Sequence, residues 1–479
     1  MNYSIVFYII GWILNIEAAF MILPCVTALI YQERSGWAFV ITIAACLCIG
    51  IPLTVKKPSN RVFYLREGFV STALSWIVLS CVGALPFLIS GSISNPVDAV
   101  FETVSGFTTT GASILADVEA LPYCMLFWRS FTHWIGGMGV LVFLLILLPM
   151  TGGSHMNLMK AESPGPSVSR LLPKVSSTAR ILYQIYIFMT LVEIALLLLG
   201  GMPLFDSITL SFGTAGTGGF GIKNDSIAGY TVYQQVVITI FMILFGVNFN
   251  VYFFILFKKF RQAFASEEVR AYLIIILVST LIITFNARGL FHGFGEAFQQ
   301  AAFQVGSIIT TTGYATTDFN LWPQTSRTVL VLLMFIGACA SSTGGGMKVS
   351  RFLILFKTVV KELRMLLHPR SIKKVRIDDK PVEHEVVRST NVFVFTYILI
   401  FAASMLLLTF DNLDLTTTFT AVAATLNNIG PGLELVGPTG NFSIFSNGSK
   451  LVMIFDMLAG RLELFPLLLL FMKSTWKKF

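Results

Sequence analysis

Charge is scarce in this sequence: only 12% of its 479 residues are Asp, Glu, Lys or Arg, against 55% hydrophobic. A water-soluble protein of this length carries about twice that charge fraction, so a soluble globule is excluded. Histidine is scarcer still. His133, His155, His292, His368 and His384 include no pair at metal-ligand spacing. The six cysteines (Cys25, Cys46, Cys48, Cys81, Cys124 and Cys339) are scattered through apolar blocks. Cys46 and Cys48 form a C-x-C inside a hydrophobic run and read as small packing residues rather than a redox or zinc site. There is no nucleophile elbow and no carboxylate dyad, so the chain is read as not an enzyme and as holding no organic cofactor. The apolar run from Ile5 to Ile30 lacks a basic leader and a small-residue cleavage site. It is expected to be a retained first helix rather than a signal peptide.

What is abundant is apolar sequence in blocks of about 20 residues, the length that crosses a hydrocarbon core of ~30 Å. The net charge of +8 does not indicate nucleic acid, because the basic residues gather in alternate loops. Lys56, Lys57, Arg61 and Arg66 form one group, Lys160, Arg170, Lys174 and Arg180 a second, and Lys258, Lys259, Arg261 and Arg270 a third. The densest stretch runs from Lys348 to Arg388, and the tail carries Lys473, Lys477 and Lys478. Intervening loops hold little beyond Arg34, Lys223 and Arg288. This positive-inside asymmetry places both termini and the basic loops in the cytoplasm.

The expected fold is an all-α polytopic membrane protein. It has an N-terminal two-helix hairpin (1–55) and four pseudo-symmetric helix–pore-loop–helix repeats around a central ion pore. The repeats cover 68–149, 180–258, 270–359 and 389–473, with a basic cytoplasmic loop at 360–388. Each repeat has a long apolar helix, a short half-polar segment, a Gly-containing turn and another long helix. The short segments, near 97–108, 205–215, 296–310 and 414–427, are too short to span. Non-helical backbone at membrane depth survives only where protein buries it or where it lines a water-filled path. Four such segments on one side of the membrane argue for one shared axis.

Aligned on one glycine, the turns read Thr108-Thr109-Thr110-Gly111, Ala215-Gly216-Thr217-Gly218, Thr310-Thr311-Thr312-Gly313 and Asn427-Asn428-Ile429-Gly430. Phe101 and Phe303 lie ten residues before the glycine, and Ser105 and Ser307 six before it, in the first and third repeats. The chain reads as a diverged fourfold duplication. A dehydrated monovalent cation needs a ring of oxygen dipoles in place of its water shell, and stacked carbonyls from four extended strands provide one. Glycine allows the backbone turn that aims them inward. Each short helix would direct its negative dipole end at the cation.

The run Gly337-Ala338-Cys339-Ala340-Ser341-Ser342-Thr343-Gly344-Gly345-Gly346-Met347-Lys348 interrupts the last helix of the third repeat. It lacks Walker spacing and a preceding strand, so it is not a phosphate cradle. Gly344, Gly345 and Gly346 are read as a mobile gate, with a packing kink as the alternative. Arg461, near the middle of the final apolar segment, costs ~2.5–3.5 kcal/mol on insertion scales and must face protein or water. It is either a positive charge beside the pore or the partner of Glu463 or Asp456. Glu102 is expected to hydrogen-bond behind the first turn. Glu17 and Glu193 are expected to act as polar glue between helices.

At these residues the sequence resembles the bacterial TrkH/TrkG potassium-uptake family, within the superfamily that also holds KtrB and the plant HKT transporters. Asp98-Ala99-Val100-Phe101-Glu102 leading to Thr108-Thr109-Thr110-Gly111-Ala112 is similar to its first pore loop, and Trp134-Ile135-Gly136-Gly137-Met138-Gly139 to its next helix. Ser342-Thr343-Gly344-Gly345-Gly346-Met347-Lys348, Ala421 through Leu433 and Gly460-Arg461-Leu462-Glu463 resemble its last two repeats. The N-terminal hairpin favours the TrkH/TrkG branch over KtrB. The resemblance implies K⁺ uptake across the bacterial inner membrane and a homodimer with one pore per protomer. It also implies a cytosolic TrkA-type nucleotide-binding ring that controls opening. The implied K⁺ ligands are Thr109, Thr110 and Gly111; Gly216, Thr217 and Gly218; Thr311, Thr312 and Gly313; and Asn428, Ile429 and Gly430. Two alternatives stay open: an ion-coupled symporter moving K⁺ with H⁺ or Na⁺, and a Na⁺-permeable relative. Four repeats of one orientation and filter strands without carboxylates favour a pore over the inverted repeats usual in carriers.

Overall fold

The computed structural model describes residues 1–55, 58, 64–139, 175–369 and 374–477. Among these, six helices are long and apolar enough to cross a membrane: Tyr3–Ile30, Gly36–Val55, Leu65–Ser90, Ser177–Leu199, Glu267–Leu290 and His384–Asp411. A seventh candidate, Val232–Phe245 with Phe249–Leu256, is bent by 90°. Large apolar side chains face outward along these helices. Leu199 is 81% exposed, and Phe395 and Leu406 are also exposed. Water would penalise that surface by about 25 cal/mol per Å², whereas lipid tails do not. The chain is an integral, predominantly helical membrane protein.

The first two of these helices, Tyr3–Ile30 and Gly36–Val55, pack through small residues. A Cβ at Gly50 would lie 2.9 Å from the Gly11 carbonyl oxygen, and Asn15 donates to Thr54 Oγ1 at 3.3 Å. Small residues let helix backbones approach closely in lipid.

The four short helices are Pro96–Phe107, Leu204–Gly216, Phe294–Ile309 and Leu415–Leu426. Two start on side-chain caps: Asn95 accepts from Val97 N at 2.9 Å, and Asp414 from Thr417 N at 2.9 Å. Pro96 occupies a first-turn position, where its missing N–H costs nothing. Each short helix is followed by a turn and then by a second helix: Tyr123–Met138, Val232–Phe245, Gln324–Ile336 and Asn447–Arg461.

These second helices depart from the sequence reading, which expects an interruption only in the third repeat. The third does break, at Gly337 (φ +75°), and resumes as Val349–Leu367. The second also breaks, between Phe245 and Phe249. The fourth, expected to run through 450–472, stops at Arg461, where Glu463 (φ +52°) and Leu464 (φ +69°) turn the chain. The first ends at Met138 with Gly139 at φ +80°; its expected continuation to 149 lies outside the described residues, as do Lys56, Lys57, Arg61, Lys160, Arg170, Lys174 and Lys478.

The segment expected as a plain basic loop contains a small β-hairpin. Arg376–Ile377 pairs with Lys380–Pro381. Asp378 and Asp379 both have positive φ, +51° and +60°, the signature of a type I′ turn.

Candidate functional site

All four short helices end in the same way. The amide of Thr110 bonds to Ser105 O, that of Gly218 to Gly213 O, that of Thr312 to Ser307 O and that of Ile429 to Ala424 O, all at 2.8–2.9 Å. The preceding residue bonds three back: Thr109 to Gly106, Thr217 to Thr214, Thr311 to Ile308 and Asn428 to Thr425, at 3.0–3.3 Å. This pair of bonds is a Schellman cap, which requires a left-handed residue at its centre. Thr109, Thr217, Thr311 and Asn428 hold φ of +55° to +59°. Glycine normally takes that place. A β-branched residue there carries about 1–3 kcal/mol of strain and persists only where its surroundings enforce it.

The chain then extends and turns again at a positive-φ glycine: Gly111, Gly219, Gly313 and Gly430. This corrects the alignment in the second repeat by one residue. Gly218 occupies the place of Thr110, Thr312 and Ile429, Gly219 that of Gly111, and Gly216 still belongs to the helix. The triplet matching the other three is therefore Thr217, Gly218 and Gly219.

The four turns close into a ring. A Cβ on Gly111 would strike the Gly218 carbonyl oxygen, one on Gly219 the Thr312 carbonyl, and one on Gly313 the Ile429 carbonyl. On Gly430 it would lie 2.8 Å from the Thr110 carbonyl oxygen, returning to the first repeat. Each turn thus abuts the next through the oxygen of its middle residue, with room for no side chain between. Asn428 Nδ2 adds a direct bond to Thr110 Oγ1 at 2.9 Å. A cavity of about 190 Å³ opens on one side of the ring, lined by Gly111, Gly219, Gly313 and Gly430. Among the described residues no carboxylate lines it, although Arg129 and Lys223 do.

Behind the first turn lies a buried ion pair. Arg129 and Glu102, with side chains 2% and 0% exposed, meet at 2.7 Å. Glu102 also accepts from Ser113 Oγ at 2.9 Å and from Ile114 N at 3.0 Å, pinning the strand after Gly111. Arg129 donates to Gly221 O at 3.1 Å and stacks on Phe220 at 4.0 Å, so one pair braces two turns. Next to it, His133 Nε2 accepts from Phe220 N at 3.2 Å, which leaves Nδ1–H to donate to Gly106 O at 2.8 Å. Removing one partner of a buried pair leaves an unpaired charge and costs about 3–5 kcal/mol. Glu102→Ala is expected to lower the melting temperature in detergent well below that of a Glu362→Ala surface control, Glu362 being exposed. Equal melting temperatures would remove the bracing role.

On the other side of the ring, Arg461 gathers three repeats. Its guanidinium donates to Thr109 Oγ1 at 3.2 Å, to Thr343 O at 3.0 Å, to Gly137 O at 3.0 Å and to Gly136 O. The expected alternative, pairing with Glu463 or Asp456, is not what the hydrogen bonds give. Glu463 pairs with Arg351, and Asp456 accepts from Ser404 Oγ at 2.7 Å. Gly344, Gly345 and Gly346 press against the underside of the turns. Gly345 N donates to Thr311 Oγ1 at 2.6 Å, and Gly346 N to Asn427 O at 3.0 Å. Two of the three left-handed threonines thus accept through their hydroxyls, Thr109 from Arg461 and Thr311 from the loop, while Thr217 donates to Gly216 O at 2.6 Å. Glu17 and Glu193, expected as polar glue, are both buried; the Glu17 carboxylate oxygens make no hydrogen bond among the described residues, and Glu193 lies beside Thr214.

Sequence reasoning passed over Arg129, although an arginine inside an apolar helix is itself a signal. It also passed over Glu268 and Arg351, which stand near helix ends where charge is unremarkable.

The family model described as "TrkH: Cation transport protein" matches residues 35–288 and 292–478. The chain is 36% identical over 488 residues to the Trk system potassium uptake proteins TrkH of Salmonella typhimurium and of Escherichia coli K12, covering 100% of each chain. It is 34% identical to TrkG of Escherichia coli K12, over 99% of this chain and 98% of that one. The crystal structure of the potassium transporter TrkH from Vibrio parahaemolyticus superposes with a TM-score of 0.88 at 33% identity, covering both chains fully.

Proposed function

The chain belongs to the TrkH family of cation transport proteins, and from that premise we propose that it takes up K⁺ through the ring of four turns. The observation that carries this reading is the cyclic contact in which each turn's glycine abuts the next turn's middle carbonyl. Carbonyls of Thr110, Gly218, Thr312 and Ile429, with those of the residues flanking them, would replace the water shell of a K⁺ ion. The proposed ligand set keeps Thr109, Thr110, Gly111, Thr311, Thr312, Gly313, Asn428, Ile429 and Gly430, and in the second repeat uses Thr217, Gly218 and Gly219. The C-termini of the four short helices face the ring and favour a cation there. Arg461 and Gly344–Gly346 form the barrier below it.

In the same reading the protein sits in the inner membrane as a homodimer with both termini in the cytoplasm. A TrkA-type ring sets the state of the loop. The test is flux into liposomes holding the purified chain alone, with ⁸⁶Rb⁺ against ²²Na⁺ and with or without a pH gradient. Rb⁺ uptake well above Na⁺ and indifferent to the pH gradient is the expected result. Equal uptake, or uptake that requires the gradient, would favour a Na⁺-permeable relative or a symporter.

The partner's docking surface is the basic face around Lys361, Arg364, Lys374 and Arg376. Lys357, from the same cluster, is already held by Glu267 and by Arg376 O. Arg370 and Lys373 lie outside the described residues. Reversing Lys361, Arg364 and Lys374 to Glu is expected to weaken association with a TrkA-type ring by at least ~tenfold, since like charges across an interface cost several kcal/mol. Unchanged co-purification at ordinary salt would place the docking surface elsewhere.

A further inference from the structure

The helix Val349–Leu367 begins without a cap of its own. Its flanking residue Lys348 has φ +77°, makes no side-chain cap and folds its ammonium back onto Gly344 O. The first-turn amides of a helix must find acceptors elsewhere. One acceptor comes from another helix. Glu268, 6% exposed at the start of Glu267–Ala287, accepts from Ser350 N at 3.2 Å. The same oxygen, Oε1, accepts from Ala340 N at 2.7 Å, at the far end of the Gly-rich loop. Its other oxygen accepts from Asn248 Nδ2 at 3.3 Å, at the break in the second repeat's helix.

One buried carboxylate therefore ties the two ends of the loop together and to the neighbouring broken helix. Around it the loop joins the same break through Cys339 N to Gly246 O at 3.1 Å and Phe249 N to Ser341 O at 3.0 Å. The adjacent residue faces outward. Glu267 N donates to Asp378 Oδ1 at 2.7 Å in the β-hairpin turn, and its carboxylate pairs with Lys357. The clamp thus stands one peptide bond from the surface assigned above to the cytoplasm.

We propose that Glu268 is the positioning residue of the intramembrane loop, holding both of its ends and so keeping Gly344–Gly346 against the turns. This rests on the reading of that loop as the barrier. Hydrogen bonds from backbone amides to a carboxylate are among the stronger ones, and leaving their donors unpaired in a buried site carries a further penalty. Without the carboxylate, the seated loop loses both.

The test measures ⁸⁶Rb⁺ flux in liposomes of the full chain without any partner. Glu268→Ala is expected to raise flux about tenfold. Glu268→Gln keeps an acceptor oxygen of the same reach and is expected to restore flux to within about twofold of the parent. That rescue separates positioning from a general loss of stability. Glu268→Asp, one methylene shorter, is the milder variant should alanine fail to assemble, and is expected to raise flux about threefold. Deleting Gly344–Gly346 should raise flux by itself, and Glu268→Ala should add nothing in that background, because the two changes act on one element. If the deletion raises flux while Glu268→Ala and Glu268→Asp do not, the proposal is overturned and the barrier reading stands. A full additional increment in the deletion background overturns it equally. If the deletion itself leaves flux unchanged, the barrier reading fails and this inference with it.

Discussion

Gly111→Ser is expected to lower the preference for K⁺ over Na⁺ by ten- to a hundredfold, an effect of roughly 1.4–2.7 kcal/mol. Two separate strains produce it. Gly111 holds φ +80°, where an L-residue costs about 1–2 kcal/mol. Its Cβ would also strike the Gly218 carbonyl oxygen and come within 3.2 Å of that carbonyl's carbon. Neither the first nor the second turn can keep its place, so the spacing of the proposed oxygen ring changes on one side. A cage that fits dehydrated K⁺ through four matched turns then no longer does, while the smaller and more strongly hydrated Na⁺ tolerates the looser site. Gly91 provides the control. It has φ +74° but nothing within 4 Å of its would-be Cβ. Gly91→Ser imposes the backbone strain without touching the ring and should leave the flux ratio alone. An unchanged ratio in Gly111→Ser would separate the ring from selectivity.

The same contacts explain which features could be read before the fold was in hand. Short helices between long ones are visible in hydropathy, because length against membrane thickness is a property of the chain itself. The observed Pro96–Phe107 and Leu415–Leu426 lie within two residues of the spans expected at 97–108 and 414–427. The Thr-Thr-Thr-Gly runs align the first and third turns for the same reason. The second turn reads Gly216-Thr217-Gly218-Gly219, and with three glycines in four residues composition cannot choose the register. The bond from Gly218 N to Gly213 O chooses it.

The broken helices were less legible. Gly337 and Gly344–Gly346 announce one break, but the turn at Glu463 and Leu464 uses residues with no turn propensity, and only Pro466 hints at it. It is imposed by tertiary contacts such as the pair between Glu463 and Arg351. The hairpin at Arg376–Pro381 was hidden likewise, since its turn is Asp-Asp rather than the usual Asn-Gly. Glu102 stands out in the sequence as an acid in a short, half-apolar helix. Its partner Arg129 is 27 residues away, and no local pattern joins them.

Arg461→Ala is expected to raise K⁺ flux of the chain alone by about a hundredfold while leaving selectivity over Na⁺ intact. The guanidinium stands next to the proposed path: it donates to Thr109 Oγ1, two residues before Gly111, at 3.2 Å. Its hydrogen bonds to Thr343, Gly136 and Gly137 hold it in that position, and Glu463, two residues on, is turned towards Arg351 instead. A unit charge ~6 Å from a passing K⁺, at an effective dielectric of ~20, opposes it by roughly 3 kcal/mol, which is about two orders of magnitude in rate. Selectivity survives because the ring's carbonyls are untouched. Arg461→Lys separates charge from packing. It keeps the positive charge but loses the planar fork that reaches Thr109, Thr343 and the two glycine carbonyls together. If repulsion is the barrier, the lysine variant stays near the parent and only alanine is fast. If the fork's hold on the Thr343 end of the loop is the barrier, both variants are fast. Should neither exceed the parent while the Gly344–Gly346 deletion does, Arg461 is a packing residue and the loop alone obstructs the ion.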